Sequence, residues 1–139
     1  MPEIEYALSI KQPWATLLVN GIKTIEIRSW PTRHRGIVYV HAARQPVRSE
    51  SVWKLVPESL KEQAHHLGGI IGVAELIACR TYETQLDFAR DRDHHCCDPS
   101  VFRRPLYGFV FANAHPVPFH PCPGWLRFFR IDHKGRRGK

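Results

Sequence analysis

Two stretches near the amino terminus, LSIKQPWA at residues 8–15 and GIKTIEIRSW at residues 21–30, carry the strongest fold signals of this chain. Tyr6–Ile10, which overlaps the start of the first stretch, has the pattern of a short strand. Pro13 then suits the first turn of a helix, whose apolar residues recur at i, i+3 and i+4. Gly21 supplies the stop signal at its end. The pattern predicts a strand followed directly by a short helix.

The segment Lys23–Trp30 alternates between apolar and polar residues, which is the period of a half-buried strand. Ile25 and Ile27 share one face, which we expect to lie on the core. Glu26 and Arg28 share the other face. Opposite charges at i and i+2 of a strand form either a solvated pair of little energetic weight or a recognition pair that lines a groove. Periodicity alone leaves both interpretations open.

The rest of the chain contains further strand and helix patterns. Strands are predicted at Ile37–Ala42, Gly69–Cys79, Leu106–Ala112 and Trp125–Ile131, and irregular chain at 80–104 and Pro116–Pro123. An amphipathic helix is predicted at Ser51–His65, where Pro57 interrupts the pattern and can split the helix in two. Five or six strands with two main helices, not in βαβ order, predict an α+β domain with a small mixed, barrel-like sheet. A length of 139 residues suits one core. We expect one domain over residues 1–132 and a disordered basic tail at 133–139.

Positive charge is concentrated in one part of the chain. The formal net charge is +7, from 20 Lys and Arg against 13 Asp and Glu. Residues 11–48 hold seven of these cations and a single acid, Glu26, and the tail adds four more cations. A polyanion such as RNA or DNA is therefore the first expected partner. An acidic protein meeting the same basic face is the alternative, and the tail is either disordered or a phosphate contact.

Several classes of protein are excluded or disfavoured by the sequence. It has no run of 18 apolar residues and no basic stretch leading into an apolar one at its start, so we expect a cytoplasmic protein without a membrane span or signal peptide. The four cysteines lack the spacing of a disulfide scaffold and are expected to be reduced. In His94–Asp98 (HHCCD) adjacent ligands point apart, which favours a polar loop over zinc. No metal or cofactor is predicted.

Glu75 is the most informative single acid. It lies within the apolar strand Gly69–Cys79, where it shares a face with Ile71, Val73 and Ile77. A carboxylate desolvated there needs a cation or a donor, and Lys23 or Arg28 is the expected partner. A buried Glu–Lys pair is an arrangement that acid–base catalysis uses. The alternative is a strand end that faces solvent.

The order and spacing of L-S-I-K-Q-P-W-A and G-x-K-x-x-E-x-R resemble the ASCH domain family of the PUA-like superfamily. Later segments are similar as well: Arg35-Gly36, Val40–Ala42, Gly72–Glu75, Pro105–Phe109 and Pro116–Phe119. Together they extend the resemblance over residues 5–131. It implies a small β-barrel flanked by helices, with a cleft beside the G-x-K-x-x-E-x-R segment in which the family binds RNA or another nucleic acid.

The resemblance also implies enzymatic alternatives. Some small family members are amidohydrolases that act on acylated cytidine with a Lys, a Thr three residues later and a Glu from a central strand. Lys23 and Glu75 match that pattern, but Glu26 stands where the Thr would be, which counts against this activity. Ribonuclease activity has also been proposed within the superfamily, and the resemblance therefore implies it as a second alternative. For it, Lys23, Glu26 and Glu75 would supply acid, base and charge stabilisation without a metal.

The binding hypothesis assigns a defined set of contacts to RNA, DNA or a nucleoside or nucleotide. Cations contact phosphates, and aromatic rings offer faces to an unpaired base. The expected binding residues are Lys11, Gln12, Trp14, Lys23, Arg28, Trp30, Arg33, Arg35, His41 and Arg44.

Overall fold

The architecture is one mixed sheet with short helices around it. The structure, a computed structural model, describes residues 5–132, and the predicted tail at 133–139 lies outside that range. The strands are β1 (Glu5–Ile10), β2 (Ile25–Arg28), β3 (Gly36–Ala42), β4 (Gly69–Tyr82), β5 (Leu106–Pro121) and β6 (Phe128–Ile131). Their order in the sheet is β2-β5-β4-β3-β1-β6, and only β1 and β3 run parallel. The sheet curls into a half-barrel, which confirms the predicted α+β class.

The helices are shorter and more numerous than the sequence predicts. They are α1 (Trp14–Val19), α2 (Glu50–Trp53), α3 (Lys61–Ala64), α4 (Gln85–Arg90) and α5 (Arg92–His95), with 3-10 turns at Glu58–Leu60 and Pro99–Val101. The helical segment predicted at Ser51–His65 is split, because the chain leaves the helical conformation at Pro57, the residue expected to interrupt it. Residues 80–104 are not irregular throughout, since Thr84 accepts a hydrogen bond from the Asp87 amide and starts α4. No helix within residues 5–132 is long and apolar enough to cross a membrane.

The prediction of a loop at Pro116–Pro123 is wrong for most of that segment. Strand β5 continues to Pro121, with Pro116 paired to Gly72 and Pro121 paired to Gly69 of β4. Strand β2 pairs only with the first part of β5, so the later part has one neighbouring strand. A proline without an N–H is tolerated on such an open edge, and this is where the prolines lie.

The main core fills the concave side of the sheet. Helix α1 packs against the concave side of the sheet. Its Leu18 and Val19 are fully buried in contact with this core, to which the sheet contributes Val38, Val40 and Leu76. Gly72 of β4 allows the close approach, because a Cβ there would lie only 2.6 Å from Val19 Cβ and 2.8 Å from the His115 carbonyl oxygen. The approach of α1 fixes the position of the loop that leads into β2.

Both faces of β2 are covered, which corrects the expectation of one core face and one solvent face. Ile25 lies on the convex side against Gly108 and Tyr82, beneath the layer formed by α4 and α5. Glu26 pairs in register with Phe109, a residue of the main core, and is itself buried. Helices from a segment expected to be irregular cover the apolar face, so the charged face lines the interior of the half-barrel.

Candidate nucleic-acid interface

Lys23 is the most buried cation of the site, with a relative exposure of 1%. Its Nζ donates to the His95 carbonyl oxygen at 2.5 Å and lies 3.6 Å from Glu26 Oε1. It also lies 4.4 Å from the centroid of the Trp14 ring, a cation–π contact. All three partners belong to the protein. Lys23 is therefore enclosed by groups of the protein and has almost no surface for direct contact with a ligand.

Glu26 links Lys23 to Arg28. Its second oxygen, Oε2, accepts from Arg28 Nη2 at 3.0 Å, and the Glu26 side chain is only 9% exposed. Arg28 Nη2 also donates to the Ser9 carbonyl oxygen at 2.8 Å, so the guanidinium spans from β2 to β1. The Arg28 side chain is 21% exposed. Of the two interpretations left open by the sequence, the solvated pair is excluded.

The Arg28 guanidinium keeps hydrogen-bonding capacity. Within residues 5–132 its Nη1 makes no hydrogen bond, and its buried Nε has no partner. A guanidinium presents five N–H donors in a rigid planar fork that suits carboxylate and phosphate oxygens. Arg28 is therefore the member of the Lys23–Glu26–Arg28 cluster that can bind an anion.

His95 completes this cluster, and sequence reasoning did not identify it. The ring is fully buried, stacks on Phe88 at 4.0 Å and is hydrogen-bonded through Nε2 to the Phe88 carbonyl oxygen. The Cys97 amide donates to His95 Nδ1 at 2.9 Å. These bonds orient the His95 carbonyl oxygen toward Lys23. In the sequence, His95 is one of five adjacent polar residues, HHCCD at 94–98. That stretch does not indicate which of its side chains is buried. In the described residues no group of three His, Cys, Asp or Glu could hold a metal ion.

Glu75 lies elsewhere, so the expected pair with Lys23 or Arg28 is wrong. It is opposite Ile37 on the outer face of the sheet, where Ile37 and Ile77 are exposed. Its Oε1 accepts from the Asn113 side-chain amide at 3.1 Å. The neighbouring Leu76 takes the inner face instead. The alternative of a solvent-facing position is closer to the structure, although Glu75 is half-buried and lies in the middle of β4, not at a strand end.

Two other expected binding residues are turned inward. Gln12 is fully buried, donates to the carbonyl oxygens of Gln63 and His66, and accepts from the Thr16 amide. It joins α1 to α3 and has no surface to offer a ligand. His41 is also buried, with both ring nitrogens engaged. Direct contact of Gln12 or His41 with a nucleic acid is therefore not supported by the geometry.

A groove of about 610 Å³ is lined in part by Ser9, the residue whose carbonyl oxygen accepts from Arg28. We call it the Trp125 groove, and its lining residues are Ser9, His41, Arg44, Pro123, Gly124, Trp125 and Leu126. Trp125 is 61% exposed and Leu126 is 78% exposed, although both are large and apolar. Nearby, the Arg127 guanidinium stacks at 4.7 Å over the ring of Trp30. The groove was not predicted from the sequence, because Trp125 was expected to lie within the last strand. That strand begins only at Phe128.

The exposed cations of residues 11–48 fall into two groups. Strands β1 and β3 are parallel, and Ile10 pairs with Ala42, so Lys11 and Arg44 follow the same end of the sheet. Arg33 and Arg35 precede β3 at its other end. Seven residues of β3 separate the ends by about 20 Å at roughly 3.3 Å per residue. The single basic cleft expected from the sequence is therefore divided, and the Trp125 groove belongs to the Lys11 end.

Two buried histidines predict a pH-dependent stability. Burial lowers the pKa of His41, and Arg44 lowers it further. Burial also lowers the pKa of His95, with Lys23 contributing in the same direction. Below about pH 6.5 these two histidines bind protons in the unfolded chain but stay neutral in the folded chain. The free energy of unfolding should therefore fall as the pH is lowered. The slope should reach about 1.4 kcal/mol per pH unit for each histidine.

Urea unfolding at pH 7.5, 6.5 and 5.5 measures this effect. Replacing the exposed His115 and His120 by Gln provides the control, and that variant should keep the full slope. The variant His41→Gln should lose part of it. A free energy of unfolding that does not change over this pH range would show that neither ring is held neutral.

The fold and the site define a class of protein. It is a small α+β domain with a curled sheet around a short helix and a Lys–Glu–Arg cluster at the edge strand β2, from which Arg28 reaches β1. The ASCH domain family model matches residues 8–112. The chain belongs to the ASCH domain family.

Known proteins agree with this assignment. Activating signal cointegrator 1 is 33% identical in its human form and 30% in its mouse form, over 96% of this chain. The chain spans 23% of the length of these relatives. The crystal structure of an ASCH protein from Zymomonas mobilis is similar, with a TM-score of 0.61 and 18% identity over 84% of this chain and 73% of that one. The crystal structure of a mutant ASCH protein from the same organism matches with a TM-score of 0.66 and 16% identity over 97% of this chain and 94% of that one. At these identities the structures support the fold.

Proposed function

We propose that this ASCH domain binds single-stranded nucleic acid, RNA in the first place, along the surface from Arg28 to the Trp125 groove. One observation carries the proposal. Within residues 5–132 no carboxylate lies within salt-bridge distance of the exposed cations Lys11 and Arg44, and Arg44 lines a groove with an exposed indole. Arg33, Arg35 and Arg48 are also exposed and unpaired with an acid in the described residues, but they do not line the groove. Arg80, Arg90 and Arg104 are paired with acids.

Unneutralised cations beside aromatic rings suit an unpaired nucleotide. The phosphate backbone supplies most of the affinity through Lys and Arg, and bases of a single strand stack on aromatic side chains. A volume of about 610 Å³ is within the usual range of sites for small ligands. Trp125 offers a ring face there. A paired base within a duplex could not reach such a face, so the single strand is favoured.

The buried cluster has a positioning role in this proposal. Glu26 cancels one of the two positive charges beside it and holds the Arg28 guanidinium against Ser9. Arg28 therefore presents its remaining donors in one orientation, which lowers the entropy lost when an anion binds. Lys23, 3.6 Å from Glu26 Oε1, holds the Glu26 side chain in place.

The hydrolase alternative built on Lys23, Glu26 and Glu75 is not favoured by the geometry. It requires both carboxylates at one reacting centre. Glu26 is turned to the interior, whereas Glu75 is on the convex face of the sheet with Asn113. No observation in the described residues brings Glu75 into the cluster.

Salt dependence and paired charge removals test the binding site. A fluorescent single-stranded RNA of about 12 nucleotides, within the site size of a small single-strand binding fold, is titrated with protein at several KCl concentrations, and anisotropy gives the affinity. Lys11→Ala with Arg44→Ala should weaken binding about tenfold or more. The slope of log K against log salt should become shallower by about 1.4, at roughly 0.7 for each lost phosphate contact on a single strand.

Two matched variants also remove two positive charges each. Arg90→Ala with Arg104→Ala removes surface cations that are paired with acids, and affinity should change less than about twofold. Arg33→Ala with Arg35→Ala removes cations at the far end of β3 and should have an intermediate effect. Equal losses in all three double variants would mean that net charge alone drives binding. An affinity insensitive to salt would contradict the proposal, and preference for single-stranded DNA or duplex would correct the ligand class.

A further inference from the structure

We propose that Ser9 and His41 form a nucleophile–base pair that hydrolyses small carboxylic esters bearing a negative charge in the Trp125 groove. This activity does not rest on the proposed nucleic-acid binding or on the Lys23–Glu26–Arg28 cluster, although an RNA strand and an ester would share the Trp125 groove and Arg44. Ser9 lies on β1 and His41 on β3, directly opposite each other in the parallel register. Their side chains therefore project from one face of the sheet, and both line the groove.

The hydrogen bonds determine which atom of each residue carries a proton. His41 Nε2 lies 2.8 Å from the Cys122 carbonyl oxygen, an acceptor only, so Nε2 carries the proton. In the neutral ring Nδ1 is then an acceptor. Ser9 Oγ lies 3.0 Å from Nδ1, so the hydroxyl donates to it. The order serine, histidine, backbone carbonyl matches the nucleophile, base and orienting group of a serine hydrolase.

The surroundings keep His41 available as a base. Burial and the Arg44 charge lower its pKa, so the ring is neutral at pH 7 and its Nδ1 lone pair faces the hydroxyl. Gly124 contributes space. A Cβ at this position would lie 2.7 Å from His41 Cε1, 3.0 Å from Nδ1 and 3.3 Å from Ser9 Oγ. Any larger residue at position 124 would press on the pair.

A second hydroxyl–histidine contact shows what distinguishes this one. Thr24 Oγ1 lies 3.4 Å from His94 Nδ1, and that contact is exposed. It is longer than the Ser9–His41 contact and does not line the groove. Thr24 therefore offers a matched comparison for Ser9 in the same chain.

The chemical step is ester hydrolysis with water as the second substrate. Ser9 Oγ attacks the carbonyl carbon while its proton passes to His41 Nδ1. The tetrahedral adduct then expels the alcohol, which takes that proton from His41 and leaves an acyl ester on Ser9. Water attacks this ester, His41 accepts a proton from the water, and the proton returns to Ser9 Oγ as the carboxylic acid leaves.

The lining of the groove selects the substrate class. Pro123, Trp125 and Leu126 provide an apolar wall for the body of the ester. Arg44 is exposed at the same groove, and its guanidinium suits a carboxylate or phosphate on the substrate. An ester with an apolar part and one anionic group therefore fits better than a neutral ester.

Covalent labelling tests the nucleophile directly. The full chain is incubated with a fluorophosphonate, whose phosphorus is attacked by an activated serine with loss of fluoride, and the adduct is located by peptide mass spectrometry. We expect the adduct on Ser9, none on Ser9→Ala, and an unchanged rate in Thr24→Ala. Labelling of His41→Gln should be slower by about 100-fold, the usual contribution of a general base. No adduct on Ser9 of the natural chain would overturn the proposal.

A second variant keeps the test decisive if Ser9→Ala or His41→Gln fails to fold. Gly124→Ala retains both reacting groups and displaces the imidazole ring, so labelling should slow by about tenfold or more. A labelling rate unaffected by either Gly124→Ala or a folded His41→Gln would overturn the role of His41.

Two chromogenic esters test the substrate class. The value of kcat/KM for p-nitrophenyl hemisuccinate should exceed that for p-nitrophenyl butyrate, and Arg44→Ala should lower only the former, by about tenfold. Equal rates on both esters in the natural chain would overturn the anionic preference. RNA affinity, measured separately by anisotropy, shows whether the binding proposal fails for its own reasons.

Discussion

Replacing Glu26 by Gln should lower the free energy of unfolding by about 3–5 kcal/mol, the usual cost of removing one partner of a buried ion pair. The amide has the size of the carboxylate but no charge. Lys23, which is 1% exposed, would then keep a buried ammonium beside a neutral group, and Arg28 would lose its acid at 3.0 Å. One substitution therefore affects two cations.

Glu75→Gln is the matched control, because it makes the same chemical change on the outer face of the sheet. Its amide oxygen can still accept from Asn113, so the change should stay within about 0.5 kcal/mol. Urea unfolding followed by circular dichroism measures both variants. Lys23→Met added to Glu26→Gln should restore about 1 kcal/mol or more, because it removes the unpaired charge. Equal stability of the two single variants would contradict a buried ion network.

Gly72→Ala should destabilise the domain by about 3 kcal/mol, the upper end of the range for overpacked cores. The added Cβ would meet the Val19 side chain and the His115 carbonyl oxygen at 2.8 Å. The second contact is with backbone, which cannot rotate away. Either α1 must retreat from β4 or β4 and β5 must separate, and both movements open the main core.

Gly21→Ala separates this steric effect from the general cost of replacing a glycine. Gly21 has φ of +75° and no atom within 4 Å of an added Cβ, so only the left-handed conformation is penalised. That penalty is about 1–2 kcal/mol. Thermal and urea unfolding should therefore rank Gly72→Ala below Gly21→Ala in stability. Unfolding free energies in the reverse order would mean that α1 and β4 have room to separate without cost.

Much of the fold could be read from local patterns. All six strands were predicted with approximate bounds, and the helix at Trp14–Val19 was predicted from Pro13, its apolar stripe and Gly21. Those signals act within one or two turns of chain, so they do not depend on the rest of the molecule. The split at Pro57 and the length of β5 were harder. The first depends on how strongly one proline interrupts a helix, and the second on which edge of a strand remains unpaired.

The candidate site was only partly predictable, and Glu26 and Glu75 show why. Both sit in alternating or apolar strands, and the sequence favoured Glu75 as the buried acid. Burial depends on which face of each strand is covered by elements distant in the chain. Helix α5 packs against β2, and Glu26 is buried, whereas Glu75 lies on the outer face beside the exposed Ile37 and Ile77.

The sequence by itself determined the class of fold, the family and the concentration of positive charge at residues 11–48, because periodicity, motif spacing and composition are properties of the chain. Only the tertiary structure decided the pairings. It joined Lys23 to the His95 carbonyl across 72 positions, and Ser9 to His41 across 32. Such contacts arise from sheet register and from the elements packed on each face, which no local pattern encodes.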